Sequence, residues 1–139
     1  EHMLWSVREV LPKGGNLIVV FGCGGDRDGS KRPRMGHIAS TVGDIAVATS
    51  DNPRSENPEV ILDEVLSGVP QDRLYCIRRE VDRRVAIESA IAEAEPCDIV
   101  VIAGKGHEQT QILENEVIAF DDKKVAEEAM RKRLAGNGV

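Results

Sequence analysis

The chain has 139 residues, with 18 Lys and Arg against 24 Asp and Glu, for a formal net charge of -6 at pH 7. That is one domain's length, enough to bury a core without staples, and the acidic balance speaks against a nucleic-acid or anionic-membrane partner, since both need a basic face. No apolar run approaches the roughly 20 residues that span a bilayer and no signal peptide opens the chain, so the expected compartment is the cytoplasm.

The opening Glu1-His2-Met3 reads as a remnant of cloning ahead of a fragment that starts within a helix, and residues 4–139 read as a single domain. Leu4, Val7 and Leu11 share one helical face, and Pro12-Lys13-Gly14-Gly15 ends that helix. Asn16 to Phe21 is a continuous apolar run, the mark of a strand covered on both faces. A long polar loop, Gly22 to Pro33, leads into a helical stretch from Arg34 to about Val42. Its glycines, Gly22 to Gly29, predict a mobile loop. Asp44 to Ser50 is a second buried strand, ending at Asp51-Asn52-Pro53-Arg54. Pro58 suits the first turn of a helix through Val69, with Val60, Ile61, Val65 and Leu66 facing inward.

Leu74 to Ile77 reads as a short third strand, and Asp82 caps a helix from Arg83 to Glu95 whose apolar positions are Val85, Ile87, Ile91 and Ala94. Cys97 to Ala103 is the clearest buried strand and runs straight into Gly104-Lys105-Gly106-His107-Glu108. Residues Gln111 to Phe120 alternate around Glu114-Asn115 as a β-hairpin, and Asp121-Asp122 caps a last helix carrying Val125, Ala129 and Leu134. Strand and helix alternate without repeats. The fold class is therefore α/β, Rossmann-like, a mostly parallel sheet flanked by helices with a small antiparallel hairpin near the C-terminus. Cys23, Cys76 and Cys97 lack metal-type spacing and read as reduced packing residues.

Three strands end in polar loops, at Gly22, Asp51 and Gly104. In a parallel sheet these ends share one edge, so the loops converge on one crevice. Arg27, Lys31, Arg32, Arg54 and Lys105 bring positive charge there, and Asp26, Asp28, Asp51 and Glu108 bring carboxylates. A crevice with both signs suits a zwitterion such as an amino acid; the bland reading is a set of solvated loop charges pairing among themselves. The glycines do not make a nucleotide site. Gly22-Cys23-Gly24-Gly25 follows a strand as a dinucleotide fingerprint does, but Arg27 stands at the third glycine of G-x-G-x-x-G. Gly104-Lys105-Gly106-His107 lacks the hydroxyl residue that a phosphate loop uses to hold magnesium. His37 and His107 have no third ligand at a sensible spacing, so no metal site is expected.

Phe21 to Asp28, Lys31-Arg32-Pro33, Met35-Gly36, Asp51-Asn52-Pro53-Arg54 and Ala103 to Glu108 occur in this order and spacing. Together they resemble the C-terminal domain of the Mur ligases, of the type that adds meso-diaminopimelate to a peptidoglycan precursor, over nearly the whole chain. The resemblance implies an ATP-dependent acid–amino-acid ligase of three domains. Its central domain holds the P-loop, Mg2+ and a carbamylated lysine, and phosphorylates the D-glutamyl carboxylate of UDP-MurNAc-L-Ala-D-Glu. Diaminopimelate, brought by the C-terminal domain, attacks the acyl phosphate. The N-terminal and central domains, the diaminopimelate and the UDP-MurNAc-dipeptide are then this chain's partners, and a monomer is expected. No cofactor is expected on this chain alone, which lacks the P-loop and the Asp-Tyr-Ala-His-type segment that precedes this domain in the family. No catalytic residue is expected in it, and alone it is expected to be inactive.

By the same resemblance Asn52 and Arg54, in the loop with Asp51 and Pro53, contact the distal end of diaminopimelate. Arg27 binds a carboxylate, and Gly104 and Glu108 engage polar groups. The chemistry is consistent: diaminopimelate differs from lysine by a distal carboxylate, which an arginine grips with two parallel N–H···O bonds. Pro53 holds Asn52 extended and stiffens the loop. Lysine would leave Arg54 without its partner. Other readings stay open here. Arg54 bridges Asp51, Glu108 caps its loop, Asp26 and Asp28 order the Gly-rich loop, and Lys105 and His107 either approach the phosphate side or shape the turn. A stand-alone nucleotide- or anion-binding module, or a sister ligase such as a lysine-adding one or a folylpolyglutamate synthetase, is the alternative function.

Overall fold

A computed structural model describes residues 2–105 and 108–137. Helix α1 (His2–Val10) leads to β1 (Leu17–Cys23), α2 (Arg32–Val42), β2 (Ile45–Ser50), α3 (Pro58–Leu66), β3 (Ile77–Glu80), α4 (Arg83–Glu93) and β4 (Ile99–Ala103). The hairpin strands β5 (Thr110–Ile112) and β6 (Val117–Ala119) and helix α5 (Asp122–Asn137) complete the chain. The four long strands form one parallel sheet in the order β3-β2-β1-β4, and β5-β6 is a separate antiparallel pair.

The apolar runs explain the layering. Side chains alternate across a strand, so Leu17, Val19 and Phe21 of β1 face α1, α2 and α3, while Ile18 and Val20 face α4 and α5. All seven residues of β1 are buried because helices cover both faces. Each fully buried Val, Leu or Ile contributes about 1.5–3 kcal/mol. Helix starts follow local chemistry. Asn57 accepts from the Glu59 N–H ahead of Pro58, Asp82 accepts from the Val85 N–H, and Asp121 accepts from those of Lys123 and Lys124. Each such cap stabilises its helix by about 1 kcal/mol.

Several sequence expectations shift. The third strand is Ile77–Glu80, and Gln71–Cys76 before it is a 3-10 helix, so Leu74 and Tyr75 lie exposed. Only Cys76 of that segment is buried, and the ladder with β2 starts at Ile77. Helix α2 begins at Arg32 rather than Arg34, α3 ends at Leu66 and α4 at Glu93. On α3 the inner face is Ile61, Leu62 and Val65, and Val60 is half exposed; on α4, Ala86 and Ala90 replace Val85 against the sheet. Small alanines let α4 approach the strands closely. Leu134 of α5 is exposed as well.

Strand β4 is the largest difference. Its apolar run predicts full burial, yet every residue is only half-buried, because β4 is the sheet's outer strand. An apolar groove of ≈ 600 Å³ runs beside it, lined by Ile99, Val100 and Ile102 with Met130 and Leu134 of α5. Composition reports which faces are apolar and not which strand is at an edge. Cys97 departs similarly: it is exposed, in a left-handed turn at φ 79, while Cys23 and Cys76 are buried. No helix among the described residues is long and apolar enough to cross a membrane.

Candidate functional site

The three loops do converge, and Asn52 is where they meet. Its side chain is buried, with Oδ1 accepting from Lys105 Nζ at 3.1 Å and from the Ile112 N–H at 2.9 Å. Its Nδ2 donates to Glu108 Oε2 at 3.3 Å, and its backbone carbonyl accepts from the Gly25 N–H at 2.7 Å and from Arg54 Nη1 at 3.3 Å. One residue thus touches the Gly-rich loop, its own loop, the Gly104 loop and the hairpin. With both lone pairs of Oδ1 taken, Asn52 keeps one amide hydrogen for anything else.

Arg54 lies half-buried at φ 52, a backbone region that disfavours an arginine by about 1–2 kcal/mol. Its N–H donates to the Ile112 carbonyl, and its Nη1 donates to the Gly25 carbonyl at 2.9 Å. It does not bridge Asp51, which pairs instead with Lys105 at 3.2 Å. Among the described residues nothing takes hydrogen bonds from Nη2 or Nε of Arg54. One edge of the fork is fastened and the other is available.

Lys105 is the opposite case. Its side chain is fully enclosed, and its ammonium donates to Asp51 Oδ1, Asn52 Oδ1 and the Thr110 carbonyl at 3.2, 3.1 and 2.5 Å. Three donors meet three acceptors, so it fastens the turn. Gly104 stands at φ 109, a conformation that side-chain-bearing residues rarely adopt, and a Cβ there would lie 3.1 Å from the Gly22 carbonyl oxygen. Glu108 is exposed with one oxygen on Asn52. Arg27 is exposed and makes no ion pair or hydrogen bond among the described residues. Gly106 and His107 lie outside the described residues.

The Gly22–Gly29 loop, expected to be mobile, is cross-linked to the Asn-Pro-Arg loop. The Asp26 carboxylate accepts from the Ser55 hydroxyl and N–H, and the Asp26 N–H donates to Glu56. Ser55 holds the Asp26 carboxyl below its ordinary range, helped by the charge of Arg54. Arg32, counted in the sequence among the crevice charges, is buried instead. It donates to the Gly24 carbonyl, to both oxygens of Glu56 and to Glu64. Those bonds, first of all that from Arg32, hold the Glu56 carboxyl below its usual range. At Gly25 an added Cβ would stand 1.9 Å from the Pro53 carbonyl oxygen, so the two loops touch backbone to backbone. Asp28 is exposed and its carboxylate accepts from the Ser30 N–H, capping the short turn Gly29–Lys31. Both aspartates therefore serve loop order.

The Gly25 N–H is taken by Asn52 and the Lys105 ammonium by its three acceptors, so neither of these two donors is open to a phosphate. Among the described residues no group of three or more His, Cys, Asp or Glu is placed to hold a metal ion. Burial pushes the Cys23 thiol up to about 11, which leaves it a packing residue beside Met35. Among the described residues the loops still present Arg27, Lys31 and the outer edge of Arg54 as cations, with the Glu108 carboxylate beside Asn52. Sequence reasoning missed Ser55, Glu56 and Gln111, whose amide donates to the Asp51 carbonyl at 2.8 Å. Their only signal was polar side chains close in sequence to the loops they fasten.

The family model described as "Mur ligase, glutamate ligase domain" matches residues 1–106. The chain belongs to the Mur ligase family. Among curated relatives, this Mur ligase domain is 53% identical over 134 residues to a UDP-N-acetylmuramoyl-L-alanyl-D-glutamate--2,6-diaminopimelate ligase of Thermosynechococcus vestitus, covering 96% of the chain and 26% of the relative. It is 58% identical over 119 residues to a protein of the same name in Gloeobacter violaceus, covering 86% and 24%. A solved structure titled as that same ligase superposes with a TM-score of 0.87 at 37% identity, covering 95% of this chain and 26% of the other. The Mur ligase domain thus spans about a quarter of the length of the relatives it matches. These matches do not favour a stand-alone nucleotide-binding module.

Proposed function

We propose that this domain binds the acceptor amino acid for a ligase that joins meso-diaminopimelate to UDP-MurNAc-L-Ala-D-Glu in peptidoglycan synthesis. The observation that carries the reading is Arg54: a half-buried guanidinium fastened by Nη1 and left with Nη2 and Nε open, beside Asn52 and Glu108. A distal carboxylate takes that open edge in two charge-assisted hydrogen bonds. Glu108 accepts from an ammonium, Arg27 meets a second carboxylate, and Gly104 engages the ligand's polar groups through its backbone. Asp51 and Pro53 hold the Asn-Pro-Arg loop in place, as does Lys105. His107 belongs to the phosphate side of the site or to the shaping of that turn, and not to the amino-acid contacts.

The domain supplies no catalytic residue in this reading and is inactive alone. It orients the attacking amine, and orientation accounts for several kcal/mol of barrier reduction in such reactions. ATP and Mg2+ are assigned to the other domains of the whole protein, which together with the UDP-MurNAc-dipeptide are its partners. The protein is cytoplasmic and monomeric in the same account. The test is a ligation assay on the full-length protein with meso-diaminopimelate or L-lysine as acceptor. Product with diaminopimelate, at least about 100-fold over lysine in kcat/KM, is expected, since a site built around a polar group rejects the analogue that lacks it. Equal use of lysine overturns the reading.

A further inference from the structure

Beneath the three loops lies a second arginine that the site reading leaves without a role. Arg83 opens α4, and its side chain is wholly enclosed. Nε and Nη2 donate to the two carboxylate oxygens of Asp122 at 2.8 and 2.7 Å, a bidentate pair that joins α4 to the first turn of α5. Two further hydrogens go to the sheet. Nη1 donates to the Ser50 carbonyl at 3.2 Å and Nη2 to the Ala103 carbonyl at 3.3 Å. Nη1 also lies 3.0 Å from the place a Cβ on Gly22 would occupy. The ends of β1, β2 and β4 therefore rest on one guanidinium.

The residues that follow those carbonyls are Asp51 and Gly104, where two of the candidate-site loops begin. Resting on the proposed function, we infer that Arg83, oriented by Asp122, is a positioning residue. It sets the register of the Asp51–Arg54 loop against Gly104 and Lys105 and thereby the affinity for the acceptor amino acid. A planar, rigid fork suits this task, because its donors point in fixed directions at four acceptors, whereas a lysine ammonium reorients. Stability alone is a weak reason for the pair, since well-packed apolar residues often replace a buried ion pair at no loss. Placement is a better one: a displacement of about 1 Å at such a site costs on the order of 100-fold in rate.

The experiment uses the full-length protein that carries this domain, with the double variant Arg83→Met/Asp122→Leu and the single variant Asp122→Asn. The double variant keeps the core filled but offers nothing to the Ser50 and Ala103 carbonyls. It is expected to fold but melt below the wild type, because two carbonyls lose a donor, while the KM for diaminopimelate rises about tenfold or more and the KM for ATP stays within about twofold. Asp122→Asn, which leaves the Arg83 fork half-held, is expected to give the same split at about threefold. An unchanged KM for the acceptor, or an equal rise for ATP, overturns the inference. If the double variant does not fold, Asp122→Asn decides by the same criterion. The wild-type acceptor assay tests the proposed function separately, and the variants are compared on whichever acceptor the wild type uses.

Discussion

Arg54 donates from Nη1 to the carbonyl of Gly25 at 2.9 Å, while the Gly25 N–H donates to the carbonyl of Asn52 at 2.7 Å. This reciprocal contact makes the Gly-rich and Asn-Pro-Arg loops one unit. It fixes which edge of the Arg54 fork stays open.

Because the loops meet backbone to backbone, Gly25→Ala tests their contact without touching any charge. The added Cβ would stand 1.9 Å from the Pro53 carbonyl oxygen, so one loop must move. We expect a loss of about 1–3 kcal/mol in urea denaturation of the 139-residue chain, the range for overpacking. A change below about 0.5 kcal/mol would show that the loops separate easily.

Lys105→Met removes the donor that serves Asp51, Asn52 and the Thr110 carbonyl while keeping its length. Breaking a buried pair by removing one partner costs about 3–5 kcal/mol. Since Asp51 retains some contact with water, the lower end of that range is expected by chemical denaturation.

The loop tether is acid-labile. Asp26 and Glu56 are held below their ordinary ranges by Ser55 and by Arg32 respectively. A carboxylate with a lowered folded-state pKa contributes stability that is present above its unfolded value, about 4, and is lost as pH falls through the folded one. Proteolysis within residues 24–30 is therefore expected to rise below about pH 4, while the sheet core stays protected. Glu56→Gln is expected to show the same cleavage already at neutral pH; a loop equally resistant at both pH values contradicts the tether.

Thiol chemistry separates the cysteines. Cys23, buried and pushed up to about 11, stays unmodified by iodoacetamide at neutral pH, whereas the exposed Cys97 reacts. Mass spectrometry of the native chain reads this directly, and first labelling at Cys23 would contradict its burial.

The layered fold was legible because β1 and β2 open with apolar runs and the later helices are announced by Pro58, Asp82 and Asp121. Convergence of the loops followed from parallel strands alone. Three things were not legible. The edge position of β4 depends on strand order, which the run from Ile99 to Ala103 does not encode. Leu74 and Tyr75 are apolar in pattern but lie in a 3-10 turn, because the sheet ladder starts only at Ile77. Nothing in the sequence marks Arg32 or Arg83 as buried, because their partners Glu56 and Asp122 lie far along the chain. For the site, Arg54 was legible by residue type, but that only one edge of its fork is spent is a matter of geometry.

The most direct test is Arg54→Ala in the full-length protein, with KM measured for diaminopimelate and for ATP. The truncation removes a charge-assisted bidentate partner, and a rise of about 100-fold in the KM for diaminopimelate is expected, with ATP within about threefold. Equal effects on both substrates, or none on either, would contradict the claim that this domain selects the acceptor through Arg54.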